Sequence, residues 1–464
     1  MRLGLLVVVV LGVLAAAGVA MASTSGSKAA SPIKVGILSD CQGAFGAQYA
    51  ADIGGAEAAF IQYAGAKAKD PNDPTKGITG GAFAGHPLQI VGFGCSNDNA
   101  QKAISETKRL MEQLGAHILI GPLSGDEAVA VAHYAQSHPA WTFVNGTAGS
   151  QDPTLQIAPK NFFRFNGDGA QWNAGLGDYM FHKLHWKKAA IIMDDYSFGW
   201  TSAAGIIAEF CAVGGNIVKR VFPPLNTTDY SSFVRQLPPP SQVDGYFWVV
   251  GGTGTVASLK AMQAAYPGSV SKTKISGNLF LEVTGNFQQV APLISGAIVG
   301  GFGTPGTDYK APPALKYVAQ QKAIWKQIPP LGAMNTANAY NGFYFNYYKA
   351  AWGLTKALNT VGGNISNQKP LQVALGKVVL ATPFGTVKLD KNRQAVEGEW
   401  TYQVFAQPGK TEVKTIQYIP NVDQSFGGTF KHSSPPPGRT QPGCSKRSLP
   451  WVGKERPVVN GVIR

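Results

Sequence analysis

One feature constrains this chain more than any other: a strand-then-helix alternation that runs for several rounds, stops, and starts again. The first series opens at Ile33-Lys34-Val35-Gly36-Ile37-Leu38, an apolar run of the length of a buried strand. A Gly-rich loop over residues 41–46 leads into Ala, Ile and Phe at helical spacing over residues 52–66. A polar insertion, residues 70–85, precedes a strand at 88–93. Helix 99–114, strand 116–120, helix 126–137 and strand 141–144 complete the series. That order implies a parallel sheet with helices on both faces.

The pattern then restarts. Residues 173–184 read as a helix and 189–193 as a strand. Helix 200–213, strand 216–221, helix 230–237, strand 245–250, helix 256–265 and strand 274–277 follow. Two such series in 464 residues predict two α/β lobes rather than one core. After a strand at 296–302 comes a long helical region, 314–358, dense in aromatics near Tyr340. Strands at 386–389, 399–406 and 413–419 read as antiparallel. From residue 421 onward Pro, Gly, Ser and charge dominate, which predicts a tail of low order over 421–464.

The start of the chain reads as an export signal, residues 1–22. Met1-Arg2 precedes an apolar run to Ala20, and Ala20-Met21-Ala22 supplies the small-residue cleavage triplet. The competing reading is an uncleaved anchor, since about 18 apolar residues can just span a bilayer. Export places the mature chain in a periplasm or outside the cell. No Cys follows the cleavage site, so a lipid anchor is not indicated.

The net charge is +14. Part of it is local: Lys431, Arg439, Lys446, Arg447, Lys454, Arg456 and Arg464 stand against Glu455 alone. They are scattered among Pro and Gly with only Trp451 for stacking, which argues against a nucleic-acid partner. Four cysteines, Cys41, Cys95, Cys211 and Cys444, allow two disulfides in three connectivities. Their spacings match no metal site.

Motifs for catalysis or cofactors do not hold together. Gly252-Thr253-Gly254-Thr255-Val256-Ala257 has the dinucleotide-loop pattern between a strand and a helix. No acidic residue lies about twenty positions on to hold a ribose. A plain strand-to-helix loop is the better reading. His182 and His185 share a helix face without a third ligand, amid Lys183, Lys187 and Lys188. Asp194-Asp195 lacks a nucleophile or base partner. The chain has no nucleophile elbow, P-loop or H-E-x-x-H. No cofactor, no metal and no enzymatic activity are expected. Phe343, Tyr344, Tyr347 and Tyr348 recur at three- and four-residue steps, the pattern of a buried helix face, while one or two aromatics at the N-terminal end of the run could line a cleft.

Several segments, in this order and at these spacings, carry a resemblance. They are Ile33 to Leu38 with Gly43-Ala44-Phe45-Gly46, then Ile120-Gly121-Pro122-Leu123-Ser124, then Phe163-Arg164-Phe165, then Ala190 to Gly199 with its Asp194-Asp195-Tyr196-Ser197-Phe198-Gly199. The chain resembles the type I periplasmic binding proteins of ABC transporters, in particular the branched-chain amino-acid-binding family, over residues 33–419. The resemblance implies two Rossmann-like parallel-sheet lobes of flavodoxin-like strand order, joined by three crossings near Phe163, Thr304 and Pro383. Lobe 1 would comprise 33–162 and 305–383, and lobe 2 would comprise 163–304 and 384–420. A cleft between them would close on a solute and deliver it to a membrane permease. A sensor reporting to a membrane receptor is the alternative use of the same fold.

In such folds the ligand sits outside the carboxyl ends of the strands. By position the resemblance implies Phe45, Ser124, Gly125, Thr147, Ser150, Asp195, Phe198, Thr253, Glu282 and Tyr340 as ligand-binding residues. The sequence departs from the amino-acid binders at two places. Thr253 falls at the position of their Tyr and Leu279 at that of their Glu, so Glu282 or Asp195 would have to pair an ammonium. The expected ligand is therefore small and partly apolar: amino-acid-like, or a small carboxylate or amide. The implied sheet order makes the first two strands neighbours, which predicts a Cys41–Cys95 disulfide. Cys211–Cys444 follows by elimination and would tie the tail to lobe 2.

Overall fold

The computed structural model describes residues 30–252, 254–278, 287–407 and 410–464. The expected export signal and the positions Thr253, Leu279 and Glu282 lie outside these residues.

Lobe 1 is built on β1 (Ile33–Ser39), β2 (His86–Cys95), β3 (Ile118–Ile120), β4 (Thr142–Val144) and β5 (Phe162–Phe163). They lie side by side in the order β2-β1-β3-β4-β5, all parallel, with Ala82–Phe83 antiparallel on the outer edge of β2. Registers such as Ile37 beside Phe93 and Ile120 put apolar side chains in line across the sheet. β1, β3 and β4 are buried almost throughout, as a sheet covered on both faces must be.

Helix α1 (Tyr49–Ala64) lies against the long aromatic helix α4 (Gly342–Thr360). At Gly55 an added Cβ would stand 2.0 Å from the Tyr344 carbonyl oxygen, so glycine sets how closely the two helices approach. The region read as one helix over 314–358 is broken. Helix Pro312–Ile324 ends before a small hairpin (Gln327–Ile328 with Gly332–Ala333), and helix Thr336–Tyr340 follows before α4. Pro329-Pro330 and Gly332, at φ +88°, cannot continue a helix, and Asn335 and Asn341 each cap a new one.

Lobe 2 holds β6 (Lys188–Met193), β7 (Asn216–Val221), β8 (Gly245–Val249), β9 (Ile275–Gly277) and β10 (Ile298–Gly300), in the parallel order β7-β6-β8-β9-β10. The antiparallel β11 (Ala395–Gln407) and β12 (Lys410–Val422) extend this sheet, as the sequence suggested.

Buried polar groups tie together the segments after β5, before helix Pro312–Ile324 and at the start of β11. Arg164 follows β5; its N–H donates to the Arg393 oxygen at 2.9 Å, and its guanidinium donates to Thr154 Oγ1 at 2.6 Å and to Gln394 Oε1. Tyr402 donates to the Thr304 carbonyl. Lys349 of α4 pairs with Glu397 of β11 at 2.6 Å, both fully desolvated.

The expectation of a disordered tail fails. Residues beyond β12 fold onto lobe 2. Phe426, Phe430, Leu449 and Trp451 pack with Ala170, Ala204, Ala208, Ile419 and Val422 in one apolar cluster. Trp451 donates its ring N–H to Glu209 at 2.7 Å. Two short strands, β13 (Arg456–Val459) and β14 (Val462–Ile463), add to the sheet beyond β12. Four large apolar side chains, widely spaced among Pro and Gly, bury enough surface to order the segment. Both disulfides form as expected, Cys41–Cys95 and Cys211–Cys444, with Cα separations of 5.3 and 5.2 Å.

Candidate ligand-binding site

Two helices start where their strands end, and they start facing each other. In lobe 1 the chain leaves β3 through Gly121-Pro122-Leu123-Ser124 into α2 (Gly125–Ser137). In lobe 2 it leaves β6 through Asp194-Asp195-Tyr196 into α3 (Ser197–Ala212). A Cβ on Gly125 would stand 2.7 Å from Ser197 Oγ and 2.9 Å from Phe198 N, so a glycine is required at this meeting point. The two ends are also hydrogen-bonded: the Ser197 N–H donates to Asp126 Oδ1 at 3.1 Å.

Beside this contact lies a small, tightly closed cavity of about 20 Å³. Six aromatic rings line it: Phe45 and Phe343 from lobe 1, and Trp172, Tyr196, Phe198 and Phe302 from lobe 2. They brace one another. Phe302 meets Trp172 edge-on at 4.5 Å between centroids and Phe343 at 4.9 Å. Phe198 lies 5.8 Å from Trp172 and 6.0 Å from Tyr196. Such tilted and edge-on contacts are the favoured aromatic geometry. Leu123 and Gly149 complete the apolar wall.

The polar end is Ser124, Gly125 and Thr147. Thr147 Oγ1 lies 3.4 Å from the Phe343 oxygen, a weak donation. Ser124 donates its hydroxyl to Asp98 Oδ1, while its N–H points to Glu127 Oε2 at 3.3 Å. Behind these sits Asp40, whose Oδ1 accepts from the Asp98 N–H at 2.8 Å and Ser96 Oγ at 3.1 Å. Burial pushes the Asp98 carboxyl up to about 7, and the charges of Asp40 and Asp126 add to the rise. Burial likewise raises Glu127 and Asp194 well above the usual carboxylate range. Burial, with the same carboxyls nearby, keeps the Tyr196 phenol protonated.

Of the residues implied by the sequence, Phe45, Ser124, Gly125, Thr147 and Phe198 meet at this cavity. Ser150, Asp195 and Tyr340 do not line it. Ser150 is buried behind it and donates to the Gly125 carbonyl at 3.0 Å. Asp195 turns outward, where it accepts from Trp200 Nε1 at 3.0 Å and pairs with Arg439 of the C-terminal segment. Tyr340 donates to the Tyr309 carbonyl at 3.0 Å and packs edge-on against Phe384 at 4.8 Å. It lines a second recess on the far side of Phe302 instead. Trp172, Tyr196, Phe302 and Phe343 were not singled out from the sequence. Phe343 sat inside a run whose periodicity signalled core, and Trp172 carries no local motif. Among the described residues no group of three or more His, Cys, Asp or Glu is placed to hold a metal, and no helix is long and apolar enough to cross a membrane.

A model of the periplasmic binding protein family matches residues 32–408. The chain belongs to that family. The matched span covers the parallel strands of both sheets and every residue lining the aromatic cavity. No curated protein matches the sequence. Solved structures share this periplasmic binding protein's fold at low identity. An ABC transporter substrate-binding protein from Sphaerobacter thermophilus is 20% identical with a TM-score of 0.67, over 85% of this chain and 99% of that one. A solute-binding protein of an ABC transporter from R. palustris, in complex with 4-hydroxybenzoate, is 18% identical with a TM-score of 0.69, over 85% and 98%. An amino acid ABC transporter substrate-binding protein from Pseudomonas fluorescens Pf-5 is 16% identical with a TM-score of 0.64, over 85% and 98%.

Proposed function

We propose that this protein is exported, captures a small solute with a ring-sized apolar body between its lobes, and delivers it to the permease of an ABC transporter. One observation carries the reading: an aromatic-lined cavity at the facing starts of α2 and α3, with walls from both lobes. Six rings offer large contact area at small entropic cost, and Ser124, Gly125, Thr147 and Tyr196 fix the orientation of a polar group. Phe45, Ser124, Gly125, Thr147 and Phe198 are the sequence-implied residues assigned to contact. The crossings after Phe163, near Thr304 and near Pro383 are the hinge, with 33–162 and 305–383 moving against 163–304 and 384–420. Opening must separate Ser197 from Asp126 and expose the rings, and a solute that fills the cavity restores that apolar burial.

The family provides solute carriage, which an aromatic-lined cavity between lobes suits. Solutes of two kinds are candidates from the relatives: hydroxylated benzoates and amino acids. Thermal melting of the mature protein against a panel of both, with aryl amides and aryl amines, tests the reading. A ligand at a hundred times its Kd adds about 2.7 kcal/mol. A rise in melting temperature with ring-bearing solutes that Phe198→Ala removes is the expected result. Equal rises in the wild type and the variant would place the ligand elsewhere.

A further inference from the structure

The charge of the solute can be argued from what the protein itself puts around the cavity; the argument rests on the cavity being the ligand site. A carboxylate held at a helix start needs free N–H and O–H donors. Here the protein's own carboxyls take several of them. Glu127 accepts from the Ser124 N–H and also from the Asn99 N–H at 3.1 Å. Asp126 accepts from the Ser197 N–H at the start of α3. Asp98 accepts from the Ser124 hydroxyl, so that proton is not offered to a ligand.

Besides the Trp172 indole N–H, a donor, the unspent polar atoms nearby include carboxylate oxygens. Asp194 is 1% exposed; its Oδ2 accepts from the Gly251 N–H at 2.8 Å, and its Oδ1 has no partner. Asp40 is fully buried and its Oδ2 has no partner. The Ser197 hydroxyl, in a residue 7% exposed, has no partner and sits against Gly125. Among the described residues no Lys, Arg or His lines the cavity. The charged groups that act on the Tyr196 hydroxyl are Asp98, Asp194, Asp126 and Asp40, all acidic. An anion entering this site would find no cationic side chain among the described lining residues, and its charge would oppose ionisation of the carboxyls nearby.

The rings point the same way. Six aromatic faces and edges surround the space, and the negative faces of such rings attract a desolvated cation within about 6 Å. We propose that the cavity is an aromatic cage for an organic cation, an alkyl- or arylalkyl-ammonium, with the buried carboxyls behind Ser124 as its counter-charge, and that it disfavours simple carboxylates.

Calorimetric titration of the wild-type mature protein decides this, using benzyltrimethylammonium, benzyl alcohol, benzoate and 4-hydroxybenzoate. The expected order is cation, then neutral alcohol, then the two acids, with the cation at least tenfold tighter than benzoate. Benzoate or 4-hydroxybenzoate binding more tightly than the cation overturns the cage and leaves solute capture by this cavity standing. Binding of none of the four at millimolar concentration overturns the cage together with the assignment of the cavity.

Discussion

The Ser124 hydroxyl donates to Asp98, so the polar end of the cavity is coupled directly to a carboxyl that titrates near neutrality. Asp40 and Asp126 act on the same carboxyl, and both raise its affinity for a proton. Glu127, hydrogen-bonded to Ser124 and itself raised, closes the group. The empty site therefore holds protons at pH 6 that a bound cation would expel. The sign follows: a cation favours ionised Asp98, so its affinity rises with pH through about 7 and levels off above. An acid shows the reverse slope. Titration at pH 6, 7 and 8 should show a cation Kd that falls by up to about tenfold per unit below 7. Heats that vary with the buffer's ionisation enthalpy should report proton release. A flat profile would detach Asp98 from binding.

Phe45 offers the cleanest probe of the cavity wall. It comes from the loop after β1 and meets Phe343 at a centroid distance of 6.4 Å, a loose contact. Phe45→Ala should therefore weaken ligand binding about tenfold, the loss of about 1–2 kcal/mol of aromatic contact. The melting temperature of the free protein should fall little. A large loss of stability with unchanged affinity would make Phe45 a core residue.

The lobes and their sheets were legible in the sequence because buried parallel strands read as short apolar runs, and turn residues separate them from helices. The cavity was half legible. Phe45 and Ser124 sit in the connections just after strands and Phe198 in the first turn of α3, where position alone suggests a ligand. Trp172 and Phe302 reach the cavity from crossings between the lobes, and tertiary packing alone brings them there. Asp195 and Tyr340 occupy the right stretch of chain but face the wrong way. Arg439, 244 residues further on, holds the first of them outside, and no local pattern encodes so distant a partner.

Gly125 sets how far the lobes can close. An alanine there would bring a methyl carbon to 2.7 Å from Ser197 Oγ and 2.9 Å from Phe198 N, inside contact distance. Gly125 occupies the first position of α2, where alanine is no burden to the helix itself. Gly125→Ala should therefore leave the stability of the free protein within about 0.5 kcal/mol. It should hold the lobes apart and weaken ligand binding. Small-angle scattering with and without saturating ligand checks this: the wild type should compact and the variant should stay extended. Equal compaction would show that the helices slide past the added methyl group.

The C-terminal segment reaches both lobes, and its removal should be felt in two ways. It is joined to α3 by Cys211–Cys444 across 233 residues, and its Trp451 is tied to Glu209. It also touches the stretch before β5. Gln156 donates to the Lys431 and Ser434 carbonyls at 3.3 and 3.2 Å, Gln424 donates to Thr154 Oγ1 at 2.7 Å, and Leu155 sits in the apolar cluster with Phe426 and Trp451. A cross-link over so long a loop restricts the unfolded chain strongly, and losing it should cost about 2–4 kcal/mol. Cys211→Ser with Cys444→Ser should lower the melting temperature accordingly while the segment stays docked through its apolar residues. Trp451→Ala leaves the cross-link intact but removes the largest buried side chain of the cluster and leaves Glu209 without that donor. It should release the segment to trypsin, which has Lys431, Arg439, Lys446, Arg447 and Lys454 to cut at. Rapid cleavage in the Trp451 variant but not in the wild type is the expected pattern. Equal resistance in both would mean that the disulfide, rather than the apolar cluster, keeps the segment in place.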